Sequence, residues 1–204
     1  MKLTTVTNVS VDGVMQGLGG AEEDRGDGFE RGGWALPLFD HEGEAYLGRI
    51  YQRAGAFLFG RRTFEIFAAS WGSGTWGSDE GDNPISTALN GRPKYVVSST
   101  ITDPGWADTT VISGDVAAAV RRLKAEPGGE LQVHGSGSLV RSLLDARLVD
   151  EIILLTYPVV VGQGTRLFPA TGPDMALELV ESQVTSNGVT IQVYRPGGRP
   201  QYAP

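Results

Sequence analysis

The chain contains no cysteine, which excludes disulfides, thiolate nucleophiles and cysteine-bound metals and leaves the redox compartment unreadable from thiols. Any redox chemistry therefore depends on a cofactor. Histidine is nearly absent as well: His41 and His134 are the only two. No serine–histidine partnership and no zinc-ligand spacing emerges around them, so hydrolytic and metal-based catalysis are poorly supported and no metal is expected. Basic charge is scarce, with 17 lysines and arginines against 24 acids and a formal charge of -7. That balance argues against nucleic acid or an anionic membrane as partner, while a local basic pocket remains compatible with it. Long hydrophobic runs are missing too. The opening Met1-Lys2-Leu3-Thr4-Thr5-Val6 has no basic segment followed by an apolar stretch. Neither a signal peptide nor a membrane helix is supported, and a cytoplasmic location is the expectation.

What is present suits one core: 204 residues, 40% of them hydrophobic. A single domain over 1–196, followed by a loose tail over 197–204, is the expected organisation. Lys2–Val11 reads as a first strand ending at the Asp12-Gly13 turn, and the glycine- and acid-rich stretch Gly17–Gly33 as an exposed excursion of the kind that serves as a lid. The apolar spacing of Pro37–Arg53 predicts a helix. Ala56–Phe59 predicts a strand closed by Gly60, with Arg62–Ala69 helical after it. Gly72–Asn83 reads as a loop.

The same alternation continues through strands at Lys94–Ser98 and Glu130–His134 and helices at Val116–Ala125 and Leu139–Leu144. Asp150–Tyr157, apolar almost throughout, suits a strand covered on both faces in the centre of a sheet. Met175–Val184 and Val189–Tyr194 flank Ser186-Asn187-Gly188, an asparagine-glycine turn whose positive φ angles suit a hairpin. Together these predict an α/β fold of three layers, with a mixed central sheet, helices on both faces and a C-terminal antiparallel hairpin.

Two strand-to-helix turns are the main candidates for chemistry. Gly60-Arg61-Arg62-Thr63 ends a strand and exposes unpaired amides at a helix start, with a hydroxyl and two guanidinium groups beside them. A phosphate completes such a set, and a paired arginine favours NADPH over NADH. The second turn, His134-Gly135-Ser136-Gly137-Ser138, lacks the third glycine of a full dinucleotide fingerprint, yet its glycines permit close approach of an anion. Each turn also has an ordinary reading, as a plain connection or helix cap. Ser98-Ser99-Thr100 and Gly162-Gln163-Gly164-Thr165 follow other strands, and ligands of open α/β sheets gather beyond strand carboxyl ends. Asp40, His41, Glu42 and Glu44 form a polar cluster whose ordinary reading is a solvated helix start.

The ordered set of these motifs resembles the dihydrofolate reductase-like superfamily, in particular the reductase domain of bacterial bifunctional riboflavin-biosynthesis deaminase-reductases. Its anchors are Val9-Ser10-Val11-Asp12-Gly13, Gly60-Arg61-Arg62-Thr63-Phe64-Glu65, Tyr95-Val96-Val97-Ser98-Ser99 and the His134–Ser138 turn, followed by Leu148-Val149-Asp150-Glu151 and Gly162–Phe168. The resemblance implies NADPH along the carboxyl edge of a mixed sheet, with its pyrophosphate near Gly60 and Gly135 and its 2′-phosphate near Arg61, Arg62 or Ser99. It places the nicotinamide near Asn8, Asp12, Gly13 and Val14.

Where riboflavin-pathway reductases commonly carry a lysine on the first strand, this chain has Asn8. By the same resemblance, Glu44 or Asp40 is the catalytic carboxylate candidate, and Trp34 or Phe39 an aromatic wall for the substrate. The implied function is NADPH-dependent reduction of a planar pyrimidine or pteridine-type heterocycle; the alternative is a non-catalytic dinucleotide-binding or regulatory module on the same fold. A 5-amino-6-(5-phosphoribosylamino)uracil reductase-like step of riboflavin synthesis is one form of it. A homodimer through the late strands is a further expectation.

Overall fold

The computed structural model describes residues 1–72 and 83–203. Its strands are β1 (Leu3–Ser10), β2 (Ala54–Gly60), β3 (Lys94–Val97), β4 (Thr109–Ile112), β5 (Glu130–His134), β6 (Glu151–Tyr157), β7 (Leu177–Val184) and β8 (Thr190–Pro196). They form one sheet in the order β4-β3-β2-β5-β1-β6-β8-β7. The first six run parallel, and β8 and β7 add an antiparallel pair at one edge. The fold is therefore α/β with a mixed sheet and a terminal hairpin. Parallel pairing brings the carboxyl ends of β2, β5 and β1 side by side on one edge, and the helices that follow β2 and β5 start there.

Among the described residues five α-helices cover the sheet: α1 (His41–Arg53), α2 (Arg61–Phe67), α3 (Pro84–Gly91), α4 (Val116–Ala125) and α5 (Gly137–Asp145). The two-residue period of β2 divides them between faces. Phe57 and Phe59 pack with Tyr51 of α1 and Leu89 of α3. Ala56 and Leu58 turn the other way, onto Val120 of α4 and Leu143 of α5. In β6, Ile152 joins the α4/α5 face while Ile153 and Leu155 join the α1 face, so this apolar strand is covered on both sides. It lies one place from the middle pair, β5 and β1.

Several boundaries differ from the sequence expectation for local reasons. The first helix starts at His41 instead of Pro37, because Asp40 is extended and its carboxylate accepts from the Gly43 amide at 2.8 Å, capping the helix there. Pro37 sits in a short 3₁₀ turn, Leu36–Leu38. Strand β4 and helix α3 were not expected: β4 has only four residues, and α3 is opened by Asn83, whose side chain accepts from the Ile85 amide at 2.9 Å. In the hairpin only Gly188 takes a positive φ, of 79°, while Asn187 is not among the positive-φ residues. This is the longer loop with one left-handed glycine, not a two-residue turn needing both. Most of the expected Gly72–Asn83 loop lies outside the described residues.

The Gly17–Gly33 excursion is anchored at several points. Gly33 N donates to Gly17 O at 2.7 Å across its neck. Gln16 Nε2 donates to Gly26 O at 3.0 Å, and Trp34 Nε1 donates to Gln16 O at 2.8 Å. Phe29 is buried against Val14 and Val161. The stretch therefore owes its shape to one buried ring and one glutamine, with its acids left at the surface or over the cleft. After β8, Gly197 N donates to Ala176 O at 2.7 Å and the Tyr202 hydroxyl to Asp174 at 2.8 Å. Edge strand β7 leaves Leu177, Leu179, Val180 and Val184 exposed. No helix among the described residues is long and apolar enough to cross a membrane.

Candidate functional site

A cleft of about 810 Å³ opens at the carboxyl ends of β2, β5 and β1. Because β2 and β5 are parallel neighbours, the Gly60 and Gly135 turns meet there, and they are joined by hydrogen bonds. Gly60 N donates to Ser136 Oγ at 2.9 Å, and Ser136 N donates to Thr63 Oγ1 at 3.1 Å. Ser136 holds a left-handed conformation, with φ 58° and ψ 53°. Its hydroxyl serves the neighbouring turn, and the N-cap residue of α2, Gly60, has no side chain, so neither helix has a side-chain cap. The first amides of both helices are left for another acceptor. Gly135, at φ 57°, takes a conformation that side chains resist.

Of the expected site residues, Asn8, Phe39, Glu44, Gly60, Arg61, Arg62, Thr63, His134, Gly135, Ser136, Gly137, Ser138 and Thr165 line this cleft. Asp12, Gly13, Val14, Trp34, Asp40, Ser98, Ser99 and Gly162 are not among its described lining. Their positions have clear physical reasons. The Asp12 carboxylate accepts from the Ser10 hydroxyl at 2.7 Å and from the Val161 and Gly162 amides at 2.9 Å each, with Arg166 also at 3.3 Å. The Ser10 hydroxyl foremost, then these amides, holds its carboxyl well below the usual range. Gly13 and Val14 belong to the same turn, where Val14 is fully buried. Asp40 caps α1 and also accepts from the Asn187 amide at 2.9 Å, and the Gly43 amide is the largest cause of its lowered pKa. Ser98 Oγ accepts from the Thr100 and Ile101 amides at 3.1 and 3.0 Å, closing its own turn one strand beyond β2. Trp34 stands behind the wall, edge-on to Tyr157 at 5.6 Å.

Residues that motif reading did not single out complete the cleft. The anchored excursion sends Glu23, Asp24 and Asp27 to its rim, and the Asp24 carboxylate pairs with Arg62. Arg61 pairs with Glu65 one helical turn on, at 2.9 Å. Tyr157, at the end of β6, donates its hydroxyl to Asn8 Oδ1 at 3.2 Å. Tyr51 of α1 stacks on His134 with centroids 4.2 Å apart. The acids of Gly17–Gly33 were visible in the sequence, but without periodicity nothing tied them to α2. A tyrosine ending an apolar strand beside Asn8 was the signal available for Tyr157.

His134 is fully enclosed, with its Nε2 3.1 Å from Gln132 Oε1, and burial pushes its pKa down to about 3. A neutral imidazole suits a wall of the cleft and not a proton donor at neutral pH. The unfolded chain takes this proton near the ordinary value of 6.5, the folded chain only near 3. The unfolded state therefore binds more protons between these values, and the contribution of His134 to stability, present above about pH 6.5, is lost as pH falls. The expected result is an NMR imidazole signal for His134 that stays unchanged from about pH 8 to about pH 5. A titration step inside that range would contradict the buried, neutral assignment.

No group of three or more potential metal ligands occurs among the described residues. The model of the RibD C-terminal domain matches residues 1–191. The chain belongs to the RibD C-terminal domain family. It is similar to the uncharacterized protein YyaP of Bacillus subtilis strain 168, at 26% identity over 192 residues, covering 93% of this chain and 92% of that protein. Among solved structures it is similar to a putative riboflavin biosynthesis protein from Shewanella sp. PV-4, with TM-score 0.66, 19% identity and coverage of 96% of this chain and 99% of that one. It is also similar to dihydrofolate reductase from Enterococcus faecalis complexed with NADP(H), with TM-score 0.59, 13% identity and 96% of each chain covered. The dihydrofolate reductase-like fold anticipated from the motif order is thus the fold of this RibD-family chain.

Proposed function

We propose that this RibD-family chain is an NADPH-dependent reductase of a planar pyrimidine or pteridine-type heterocycle, the ring class of 5-amino-6-(5-phosphoribosylamino)uracil. The observation that carries the reading is the joined pair of turns at Gly60 and Gly135, where two helix starts without side-chain caps open into one cleft. The donor set fits a dinucleotide. Amides at the heads of α2 and α5, the Thr63 and Ser138 hydroxyls and the two guanidinium groups offer hydrogen bonds to phosphate oxygens. When bound, NADPH supplies a hydride. The family match and a fold shared with a reductase that holds NADP(H) support the same cofactor.

The chain's own residues bind and orient. Arg62 exchanges the Asp24 carboxylate for a phosphate oxygen, and Arg61 does the same with Glu65. Asn8 and Tyr157, tied to each other, fix a polar edge beside an apolar wall of Leu36, Phe39 and Leu47. The anchored excursion limits access of water from above.

In a fluorescence titration NADPH is expected to bind tighter than NADH, and the double variant Arg61→Ala, Arg62→Ala to erode that preference by about tenfold or more. Equal affinities in the unmodified protein would remove the two-arginine assignment. NADPH oxidation measured against a panel of pteridines and pyrimidines then tests turnover. Tight NADPH binding without oxidation across the panel would favour the non-catalytic module.

A further inference from the structure

Charge in the cleft is uneven. Its described walls carry four carboxylates, Glu23, Asp24, Asp27 and Glu44, but only two cations, Arg61 and Arg62. Both cations stand at the head of α2, and each already faces a carboxylate. The part of the cleft formed by Asn8, Leu36, Phe39, Glu44, Leu47 and Tyr157 holds one carboxylate and no lysine or arginine.

Cations on the segments next to the cleft, Arg25, Arg31, Arg141 and Arg166, lie outside its described lining. Arg25 pairs with Glu22 at 3.0 Å, Arg166 with Asp12 at 3.3 Å, Arg31 donates to the Val161 carbonyl, and Arg141 donates to the Leu167 carbonyl at 3.1 Å. Residues 73–82, Ser-Gly-Thr-Trp-Gly-Ser-Asp-Glu-Gly-Asp, contain no basic side chain.

A phosphate monoester is a dianion at neutral pH and is recognised by cationic forks or clustered amides. If the two arginines serve the dinucleotide, no cation of the described lining remains for a second phosphate, and Glu44 opposes one. We infer that the molecule taken by the Asn8–Glu44 end of the cleft carries no phosphate: it is a neutral or cationic planar heterocycle. This rests on the reductase reading and narrows it, since a phosphoribosylated pyrimidine is then a poor ligand and its unphosphorylated counterpart a better one.

The test is calorimetric titration of matched pairs, with and without saturating NADPH: 5-amino-6-(ribosylamino)uracil against its 5′-phosphate, and neopterin against its monophosphate. The unphosphorylated member is expected to bind about tenfold tighter or more in at least one pair, and the phosphorylated member to bind tighter in none. Equal or tighter binding of a phosphorylated member, or no binding of any of the four, overturns the inference. Leu36→Lys, at an exposed lining position, is expected to raise the ratio of phosphorylated to unphosphorylated affinity by about fivefold. An unchanged ratio in that variant also counts against it. Failure of the reductase reading is read separately, from the absence of NADPH binding when no heterocycle is present.

Discussion

Gly135→Val is expected to cost about ten- to a hundredfold in NADPH affinity: a side chain held in the left-handed region costs about 1–3 kcal/mol, the free variant relaxes out of it, and binding has to restore it, each 1.4 kcal/mol being about tenfold. The residue sits at φ 57°, and a Cβ there meets Thr63 Cγ2 at 3.4 Å and Thr63 Oγ1 at 3.7 Å. That Thr63 oxygen accepts the Ser136 amide, and Ser136 Oγ accepts the Gly60 amide. A branched side chain therefore strains the backbone and pushes on the bond that holds the two turns together. Gly135→Ala supplies a graded control, since its methyl group meets ordinary contacts and only the backbone strain remains. Fluorescence titration of both variants, with circular dichroism to confirm folding, checks the order. A folded valine variant with unaltered NADPH affinity would show that the Gly135 turn does not hold the cofactor.

Phe59→Ala is expected to remove about 3–5 kcal/mol of stability, the usual cost of truncating a buried phenylalanine. Phe59 is completely buried, with the rings of Phe67, Phe57, Phe64 and Trp106 at centroid distances of 5.2, 6.1, 6.3 and 6.3 Å. Four neighbouring rings cannot all close into the void, so part of the cavity persists. At about 2–4 °C per kcal/mol for a chain of this size, Tm should fall by about 6–20 °C in a calorimetric scan. A fall smaller than about 3 °C would mean that the cluster repacks fully, contrary to this account. Phe67 also lines the cleft, so the same variant should loosen NADPH binding without touching a donor group.

The elements that could be read from the sequence are those whose local chemistry decides them. β2 is an apolar run closed by Gly60 and β5 an alternating strand followed by Gly135, and the two turns were located for that reason. β6 was legible because Ile152, Ile153, Leu154 and Leu155 have no polar member, which suits a strand buried on both faces. Elements decided by their neighbours were not legible. β4 is four residues long and lies at the sheet edge, held by pairing with β3 more than by its own pattern. Helix α3 depends on Asn83 and Pro84, which signal a start, but its short apolar stripe gives little periodicity.

The site divides in the same way. Glycines and hydroxyls of the turns were visible because backbone geometry demands them. The Arg62–Asp24 pair joins residues 38 positions apart, and the Asn8–Tyr157 bond residues 149 apart. Only the strand order, with β1 between β5 and β6, brings the latter together. Ser98 shows the converse: a hydroxyl at a strand end is turned onto its own turn, accepting from the Thr100 and Ile101 amides, and does not reach the cleft lining.

The link between Asp24 and Arg62 has a thermodynamic consequence. An arginine facing a cleft usually gathers mobile anions from solution, and a phosphate that binds it releases them, which makes affinity fall steeply with salt. Here the counterion is covalently part of the chain, at the tip of a segment anchored by Gln16 and Phe29. A phosphate reaching α2 trades places with a tethered carboxylate instead of with free ions. The mixing entropy normally gained on release is then largely missing, and occupancy at this guanidinium becomes less sensitive to ionic strength than its exposed position would suggest.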